Sequence, residues 1–380
     1  MKGIEGKKEE TELVDDSGWD RRRLRGRRGL EINKSTLAFI PIQSNPNPNH
    51  YESSSARIMG AVCTKERTTV SDPTTNSNSN STSLVKTRSL VGRYDRRKKL
   101  GSGAYGEVYL YSPTKKKQKE KREDDDDEEG DEEYVAVKEL DKRKLARVRT
   151  GKLKTMLDDA EMEAEIMAEC ASECVVGARE WADDEADTKA RLVMDWCEGG
   201  SVVGDEDSFE AFDLADVKIV LRDLLEALRV CHERGVAHYD VKPQNVFVVR
   251  GGRYKLGDFG SAVRVEKNAK GGYEPVTKTP GTPAFTAPEC CEGEPCDGFK
   301  ADVWSAGMSA HALATGEYFY RADGPWQTYQ AILSTPVDMS PIVALGDAQF
   351  TDLLSKLLRV DPTERLGAAD ALAHPWFSSA

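Results

Sequence analysis

The chain has 380 residues, 38% of them hydrophobic, enough for one large domain or two moderate ones with a sizeable core. Its formal net charge of −12 argues against a general nucleic-acid binder, although eleven acidic residues within 120–133 supply most of the excess. No apolar run approaches the roughly 20 residues of a membrane span, and the N-terminus lacks a secretory signal. The eight cysteines show no zinc-like spacing, so we expect reduced thiols in a cytoplasmic protein, with a nuclear location as the alternative.

Residues 1–92 are predicted to form a disordered N-terminal tail. They are rich in Ser, Asn, Thr, Pro and charge, which leaves too little apolar surface to offset the entropy of ordering. The basic cluster at 21–28 is typical of a solvated tail, with a nuclear address as the alternative. Met59 and Gly60 begin an internal N-myristoylation pattern with Cys63 close by. We therefore expect membrane association only if translation starts at Met59 and Gly60 is acylated.

From Tyr94 onward the composition becomes that of a folded domain. Short strands are predicted at 108–111, 134–137 and 191–194. Residues 113–133 are predicted to be a disordered, charged insertion in a strand–strand loop, where added length costs little closure entropy. Apolar periodicity predicts helices at 152–170, 214–233 and 349–358. The sequence thus predicts a small strand-rich lobe followed by a larger helical lobe.

The run Gly101-Ser102-Gly103-Ala104-Tyr105-Gly106 fits the pattern GxGxxG. Dinucleotide-binding turns share this pattern, but there a helix follows the glycines. Here the predicted strand at 108–111 follows instead. A glycine-rich hairpin that folds over phosphate groups is therefore the favoured interpretation, since glycines let backbone N–H groups approach the oxygens.

Lys138 ends the predicted strand that follows the glycine hairpin, where its ammonium group can hold the α- and β-phosphates of a nucleotide. A solvated strand lysine is the alternative. A phosphate-binding lysine needs a carboxylate to orient it, and the next predicted helix offers Glu161, Glu163 and Glu165. Glu163 fits best because apolar residues follow it at the third and fourth positions, and Glu165 is the second choice.

The run His238-Tyr239-Asp240-Val241-Lys242-Pro243-Gln244-Asn245 places a carboxylate, an amine and a carboxamide at close spacing. Asp240 is expected to accept or orient the proton of an attacking hydroxyl, and Lys242 to neutralise charge on a transferred phosphoryl group. Asn245 and Asp258 are the predicted ligands of Mg²⁺, a hard cation that prefers oxygen.

Three residues further along are given supporting roles. Thr282 is expected to line the substrate site and to hydrogen-bond near Asp240. Glu289 is predicted to pair with Arg365. Asp302 is predicted to cap a buried helix and, through that, to steady the loop that carries Asp240.

In this order the motifs resemble those of a eukaryotic protein kinase of the serine/threonine type, over residues 94–377. The resemblance implies an α+β, bilobal domain at 93–378, with a β-rich N-lobe at about 93–194 that carries one main helix and a helical C-lobe at about 198–378. It implies a monomeric enzyme that uses ATP and Mg²⁺ to phosphorylate protein substrates, including other kinases, and that binds no nucleic acid. It places ATP contacts at Leu100, Gly101, Ser102, Gly103, Ala104, Tyr105, Gly106, Val108, Ala136, Lys138, Met194, Asp195 and Cys197, with Met194 as the gatekeeper.

The subfamily is indicated by two competing stretches. Residues 280–289 resemble upstream kinases of the calcium/calmodulin-dependent kinase kinase type, which include the plant activators of AMP-activated-like kinases. Residues 240–247 resemble instead the cell-cycle inhibitory kinases. A pseudokinase scaffold is a further alternative, which the presence of the nucleotide- and metal-binding residues disfavours, and a tyrosine-specific kinase is a weaker one.

Two departures from the kinase pattern bear on regulation. Tyr239 stands where many kinases carry an Arg that binds a phosphate on the activation segment, which here runs from Asp258 to Glu289. A phenol cannot form that bidentate pair. Lys278 occupies the usual phosphosite. We hypothesise that the segment is held without phosphorylation, with Lys278 substituting in charge. Thr277 and Thr279 flank it, so a shifted phosphosite remains an alternative.

Overall fold

The computed structural model describes residues 83–102, 106–114, 133–151, 153–204, 209–268, 272–276 and 281–378. These residues form a strand-rich N-terminal lobe and a mainly helical C-terminal lobe, so the predicted α+β, bilobal fold is confirmed. Among them, no helix is both long and apolar enough to cross a membrane. The glycine-loop tip at 103–105, most of the charged insertion, and Thr277, Lys278 and Thr279 lie outside the described residues, as do Met59, Gly60 and Cys63.

The strands in the described part of the chain are β1 Val85–Thr87, β2 Tyr94–Ser102, β3 Gly106–Pro113, β4 Val135–Asp141, β5 Ala178–Asp183, β6 Lys189–Asp195, β7 Gly200–Ser201, β8 Val236–Ala237, β9 Val246–Val249, β10 Arg253–Leu256 and β11 Val263–Arg264. The α-helices there are α1 Lys142–Leu145, α2 Met156–Glu169, α3 Leu214–Glu233, α4 Gly298–Thr315, α5 Pro325–Ser334, α6 Ser340–Ala344, α7 Ala348–Leu357 and α8 Ala368–Leu372.

The N-terminal lobe is built on one sheet with the strand order β1-β5-β6-β4-β3-β2. Strand β4 lies between β3 and β6, antiparallel to both, and its residues from Val135 to Leu140 are buried. The apolar pattern of this stretch is therefore that of a central strand covered on both faces. A lysine at Lys138 in such a strand is held inside the protein rather than in solvent.

Strand β1 lies within the region that the sequence assigned to a disordered tail. It pairs in parallel with β5, with Lys86 opposite Trp181, and so forms one edge of the sheet. Leu90, which follows it, is buried in a small cluster on the outer face of the sheet. For residues 83–92 the prediction of disorder is thus wrong, because a partner strand and a small apolar cluster supply the burial that local composition did not reveal.

Helix α2 begins later than predicted. A capping box forms at its start, where the Thr155 N–H donates to the Asp158 carboxylate at 2.7 Å. Leu153, which the apolar spacing placed in the helix, precedes that cap and is 92% exposed. From Met156 onward the helix buries Ala160, Ala164 and Met167 against the sheet, together with Glu163.

The C-terminal lobe forms around α3 and α4. Helix α3 spans the predicted 214–233, with Asp213 accepting a hydrogen bond from the Asp216 N–H at 2.9 Å. Helix α4 begins at Gly298, and the Asp297 carboxylate accepts hydrogen bonds from the backbone N–H groups of Phe299 and Lys300. The helix cap is therefore Asp297 and not Asp302, which lies inside the helix and is fully buried.

Candidate active site

Lys138 and Glu163 form a buried ion pair between β4 and α2. The Lys138 Nζ lies 2.9 Å from Glu163 Oε1 and 3.1 Å from Oε2, and only 6% and 10% of the two side chains are exposed. Burial alone would lower the pKa of Lys138, but the negative charges of Glu163 and Asp258 outweigh it and raise the pKa. The lysine is therefore a fixed cation at the cleft. Glu163 makes this contact, while Glu161 and Glu165 face the surface.

Asp258 lies opposite this pair, just after β10. It has a backbone φ of +60°, a conformation that few non-glycine residues adopt. Burial raises the pKa of its carboxyl group to about 6. Lys138 lowers this pKa, whereas the negative charges of Glu163 and Asp240 raise it further. Such a carboxylate gains from a cation that replaces its lost hydration. The cavity at this point is lined by Lys138, Glu163, Met167, Val176, Met194, Phe247, Gly257 and Asp258.

Asn245 is a second oxygen donor that fits a metal ion here. Its Nδ2 group donates to the Asp240 carbonyl at 2.8 Å and to Asp240 Oδ2 at 3.1 Å. Both amide hydrogens are thus directed at Asp240, which leaves Oδ1 as the atom able to bind a cation. A carboxylate and a carboxamide oxygen are ligands that suit a hard divalent cation.

Asp240 is surrounded by donors on both carboxylate oxygens. Oδ1 accepts from the Thr282 N–H and from Thr282 Oγ1, each at 2.9 Å, and Lys242 Nζ lies 2.9 Å from Oδ2. Lys242 also donates to Thr282 Oγ1 at 2.6 Å. Burial opposes ionisation, but Lys242, His238 and Thr282 outweigh it and lower the pKa of Asp240. The carboxylate is therefore anionic and oriented.

The backbone of the catalytic loop is held from below by Asp302. Its carboxylate accepts from the His238 N–H at 2.8 Å and from the Tyr239 N–H at 2.7 Å, and lies 2.9 Å from His232 Nε2. His238 in turn contacts the carbonyl of Gly257, next to Asp258, at 3.1 Å. The predicted steadying role of Asp302 is thus present, although it acts through backbone N–H groups of the loop rather than as a helix cap.

Tyr239 joins the catalytic loop to the activation segment by apolar packing. Its ring is 7% exposed and lies in a cluster that includes Phe285, with Val276 packed against it. The phenolic oxygen is buried without a hydrogen-bond partner in the described structure. A Cβ on Gly298 would lie 2.6 Å from that oxygen, and one on Gly281 would lie 2.2 Å from the Tyr239 carbonyl. The two glycines therefore make room for this residue.

The structure contains the glycine hairpin that the sequence predicts in the N-terminal lobe. Strands β2 and β3 form the glycine hairpin, with Gly101 opposite Val108. A Cβ on Gly106 would lie 2.3 Å from the Glu139 carbonyl, so the strand approaches its neighbour too closely for a side chain. The apolar residues predicted to contact ATP are buried in the main core, namely Leu100, Val108, Ala136 and Met194.

The resemblance to protein kinases makes Asp195, Trp196 and Cys197 the expected hinge, and this segment carries a polar contact that the sequence does not predict. Asp195 accepts from Lys255 Nζ at 2.8 Å and from Arg179 Nε at 2.9 Å, so its side chain joins both lobes. Lys255 also donates to the Val175 carbonyl at 3.2 Å. A lysine within the otherwise apolar run that leads to Asp258 was the available signal. Cys197, in the same segment, is buried, which raises the pKa of its thiol to about 12.

The cysteine prediction is wrong at one place. Cys290 and Cys296 are joined by a disulfide, whereas the other described cysteines, Cys170, Cys174, Cys197, Cys231 and Cys291, are buried free thiols. The backbone of Cys296 pairs with that of Val276 through hydrogen bonds of 3.0 and 3.2 Å. This bridge brings the loop after Glu289 against the activation segment. Glu289 itself pairs with Arg365 at 2.6 Å, as predicted.

The two-lobed fold, with an anionic loop carboxylate, a paired lysine and a second buried carboxylate at the cleft, is that of the protein kinases. The protein kinase domain family matches residues 94–377. The chain belongs to this family, and it is a serine/threonine protein kinase that uses ATP with a divalent metal ion.

Three curated relatives show how far the likeness extends. Serine/threonine-protein kinase GRIK1 of Arabidopsis thaliana is 30% identical over 76% of this chain and 67% of its own length. GRIK2 of the same plant is 31% identical over 75% of this chain and 65% of its own length. CBL-interacting protein kinase 16 of Oryza sativa subsp. japonica is 30% identical over 77% of this chain and 58% of its own length. The chain thus spans about two thirds or less of the length of these relatives.

Proposed function

We propose that Asp240 is the residue that orients the attacking hydroxyl of a protein serine or threonine. The observation that carries this role is the network in which Thr282 and Lys242 fix an anionic Asp240 at the cleft. Asp240 accepts the proton of the incoming hydroxyl, and Lys242 neutralises charge on the phosphoryl group in transit. Thr282 positions both groups through its hydroxyl and its backbone N–H.

Lys138 and Glu163 are proposed to hold the nucleotide phosphates, and Asn245 and Asp258 to hold Mg²⁺. When bound, Mg²⁺ would neutralise the β- and γ-phosphate oxygens and orient the transferred group. Lys138 contributes a charge that cannot swing away, because Glu163 binds it from the opposite side. The glycine hairpin and the apolar floor of Ala136 and Met194 would enclose the rest of ATP, with the hinge at Asp195 and Cys197 meeting adenine.

The natural substrates are proposed to include other protein kinases. The supporting observation is the stretch 280–289, which resembles that of upstream activating kinases and contains Thr282 at the substrate site. This stretch contains two short helical turns, at Pro283–Phe285 and Pro288–Cys290. We propose that the surface around Thr282 receives the activation segment of a second kinase. Membrane attachment through Gly60 stays a proposal that depends on translation starting at Met59.

The catalytic roles are tested by phosphoryl transfer from radiolabelled ATP to a generic protein substrate. Asp240→Asn and Lys138→Met are expected to lower kcat by at least about 100-fold, since each removes a charge from the reacting groups. Asp352→Asn and Lys356→Met are matched controls, because these residues form an exposed pair on α7 and should leave kcat unchanged. Equal activity in Asp240→Asn and wild type would overturn the assignment.

The proposed substrate class needs a separate assay. A catalytically inactive kinase domain of the AMP-activated type is offered as substrate, beside the same domain with its activation-segment Thr changed to Ala. We expect phosphate on the first protein and little on the second. Equal labelling of both would refute activation-segment specificity while leaving the kinase activity itself established.

A further inference from the structure

Three glutamates form a stripe along the outer face of α2. Glu161, Glu165 and Glu169 are four residues apart, so they lie one above the other on the helix surface. Like charges at this spacing repel each other and destabilise a helix. The same helix carries Glu163 on its inner face, where it holds Lys138. A cation that neutralises these three glutamates therefore also affects the position of Glu163.

A lysine from outside the matched kinase domain neutralises one end of the stripe. Lys86 Nζ lies 2.8 Å from Glu161 Oε1 and 2.8 Å from Glu165 Oε1. Lys86 belongs to β1, which precedes the family match at residues 94–377. Its position on the sheet is fixed by other contacts nearby, since Leu90 is buried and Arg93 binds Glu180. The cation is thus presented to α2 by an anchored strand.

An arginine from the activation segment neutralises the other end. Arg264 binds Glu169 through two nitrogens, at 2.7 and 3.2 Å, and its Nη2 lies 3.8 Å from Glu165 Oε2. Arg264 lies on β11, which follows Asp258 and pairs with β8 directly before the catalytic loop. Glu165 is therefore shared between a cation from the N-terminal segment and one from the activation segment.

We propose that Lys86 and Arg264 are positioning residues for phosphoryl transfer, which together hold α2 where Glu163 can orient Lys138. Each cation acts through the helix and touches no reacting atom. The arrangement makes the segment at 83–93 a working part of the kinase and couples the activation segment to α2 without a phosphate group. This inference rests on the proposed role of Lys138 and Glu163.

The expected effects are modest because the pairs are partly exposed, with 52% of the Lys86 side chain and 39% of the Arg264 side chain accessible. Exposed pairs contribute about 0.2–1 kcal/mol each, which corresponds to about a 1.5- to 5-fold change in a population. In the full-length protein at low salt, Lys86→Ala and Arg264→Glu should therefore lower kcat about 2- to 5-fold. The KM for a peptide substrate should stay unchanged, since the surroundings of Thr282 are untouched.

A charge swap distinguishes positioning from general damage. Arg264→Glu combined with Glu169→Arg restores the pair in reverse and should recover most of the lost kcat, and Lys86→Arg should retain it. The losses should also shrink near 0.5 M salt, where ions screen exposed charges. The control is Arg229→Ala, which removes a cation that pairs with two glutamates of α3 far from the cleft and should leave kcat unchanged.

Several outcomes would overturn the proposal. Wild-type kcat in both Lys86→Ala and Arg264→Glu, a failed charge swap, or losses undiminished at high salt would each do so. An equal loss in Arg229→Ala, or a loss of kcat that merely follows a loss of Tm, would show a general stability effect instead. Lys138→Met is measured alongside: if that variant retains full activity, the proposed function of the Lys138 pair fails, which is a separate result.

Discussion

Tyr239 gives a sharp test of how the activation segment is held. Tyr239 is 7% exposed, and its phenolic oxygen is buried with no hydrogen-bond partner among the described residues. An unsatisfied buried hydroxyl costs about 1–3 kcal/mol. Tyr239→Phe keeps the ring and removes the oxygen. We therefore expect the free energy of unfolding to rise by about 1 kcal/mol, with kcat unchanged.

The opposite change removes the ring itself. Tyr239→Ala leaves a cavity in the apolar cluster that Tyr239 shares with Phe285, and aromatic-to-alanine changes in a core cost about 3–5 kcal/mol. The loss of this packing should also lower kcat, because Thr282 and its contact with Asp240 lie on the same segment. Urea unfolding monitored by tryptophan fluorescence measures the first effect, and peptide phosphorylation measures the second.

The two variants together test whether the ring of Tyr239, rather than its hydroxyl, holds the activation segment. If Tyr239→Phe loses stability or activity as Tyr239→Ala does, the hydroxyl makes an essential contact and the apolar account is wrong. If Tyr239→Ala is as stable and as active as wild type, the ring does not hold the segment.

Three further predictions concern neighbouring residues. Asp258→Asn should raise the free energy of unfolding in EDTA at pH 7–8 by up to about 3 kcal/mol. Because the pKa of Asp258 in the folded protein is about 6, above its usual 3.8, ionisation of this carboxyl group destabilises the fold as the pH rises between those values. The gain in the free energy of unfolding should therefore vanish near pH 4. Urea unfolding measured at several pH values would show this. Phosphatase-treated enzyme should keep most of its kcat, and a collapse would point to a phosphate at Thr277 or Thr279. Non-reducing peptide mapping should find Cys290 linked to Cys296, and a free thiol at both positions would exclude the bond. Cys296→Ser should lower the free energy of unfolding by about 2 kcal/mol.

The sequence was most informative where function depends on fixed spacing. Lys138 and Glu163 could be paired in advance because helical periodicity left one glutamate on the buried face of α2, and the structure brings them to 2.9 Å. The loop from Asp240 to Asn245 is similar, since its side chains lie only a few residues apart. Patterns of this kind can be predicted from the sequence because each side chain is positioned by its neighbours along its own strand, helix or loop.

Contacts between distant segments were missed for the corresponding reason. Strand β1 is short and lies beside a Ser- and Asn-rich stretch, and only its pairing with β5 identifies it as part of the sheet. Cys296 both forms the disulfide with Cys290 and pairs through its backbone with Val276, and sequence spacing reveals neither contact. The sequence predicts Asp302 as a cap because Asp often begins helices, whereas the helix begins at Gly298 and its cap is Asp297.

Tyr239 shows how the structure changes the meaning of a departure from a motif. On sequence grounds it was a missing arginine, and the inference concerned only a phosphate that cannot be bound. In the structure the position is filled: Gly298 has no side chain where the phenol lies, and the ring belongs to the apolar cluster that includes Phe285 of the activation segment. We propose that Tyr239, which fits these surroundings and shares an apolar cluster with the segment, substitutes for the phosphate contact. Arg264, which binds α2 from the same segment, extends this substitution to the helix that carries Glu163.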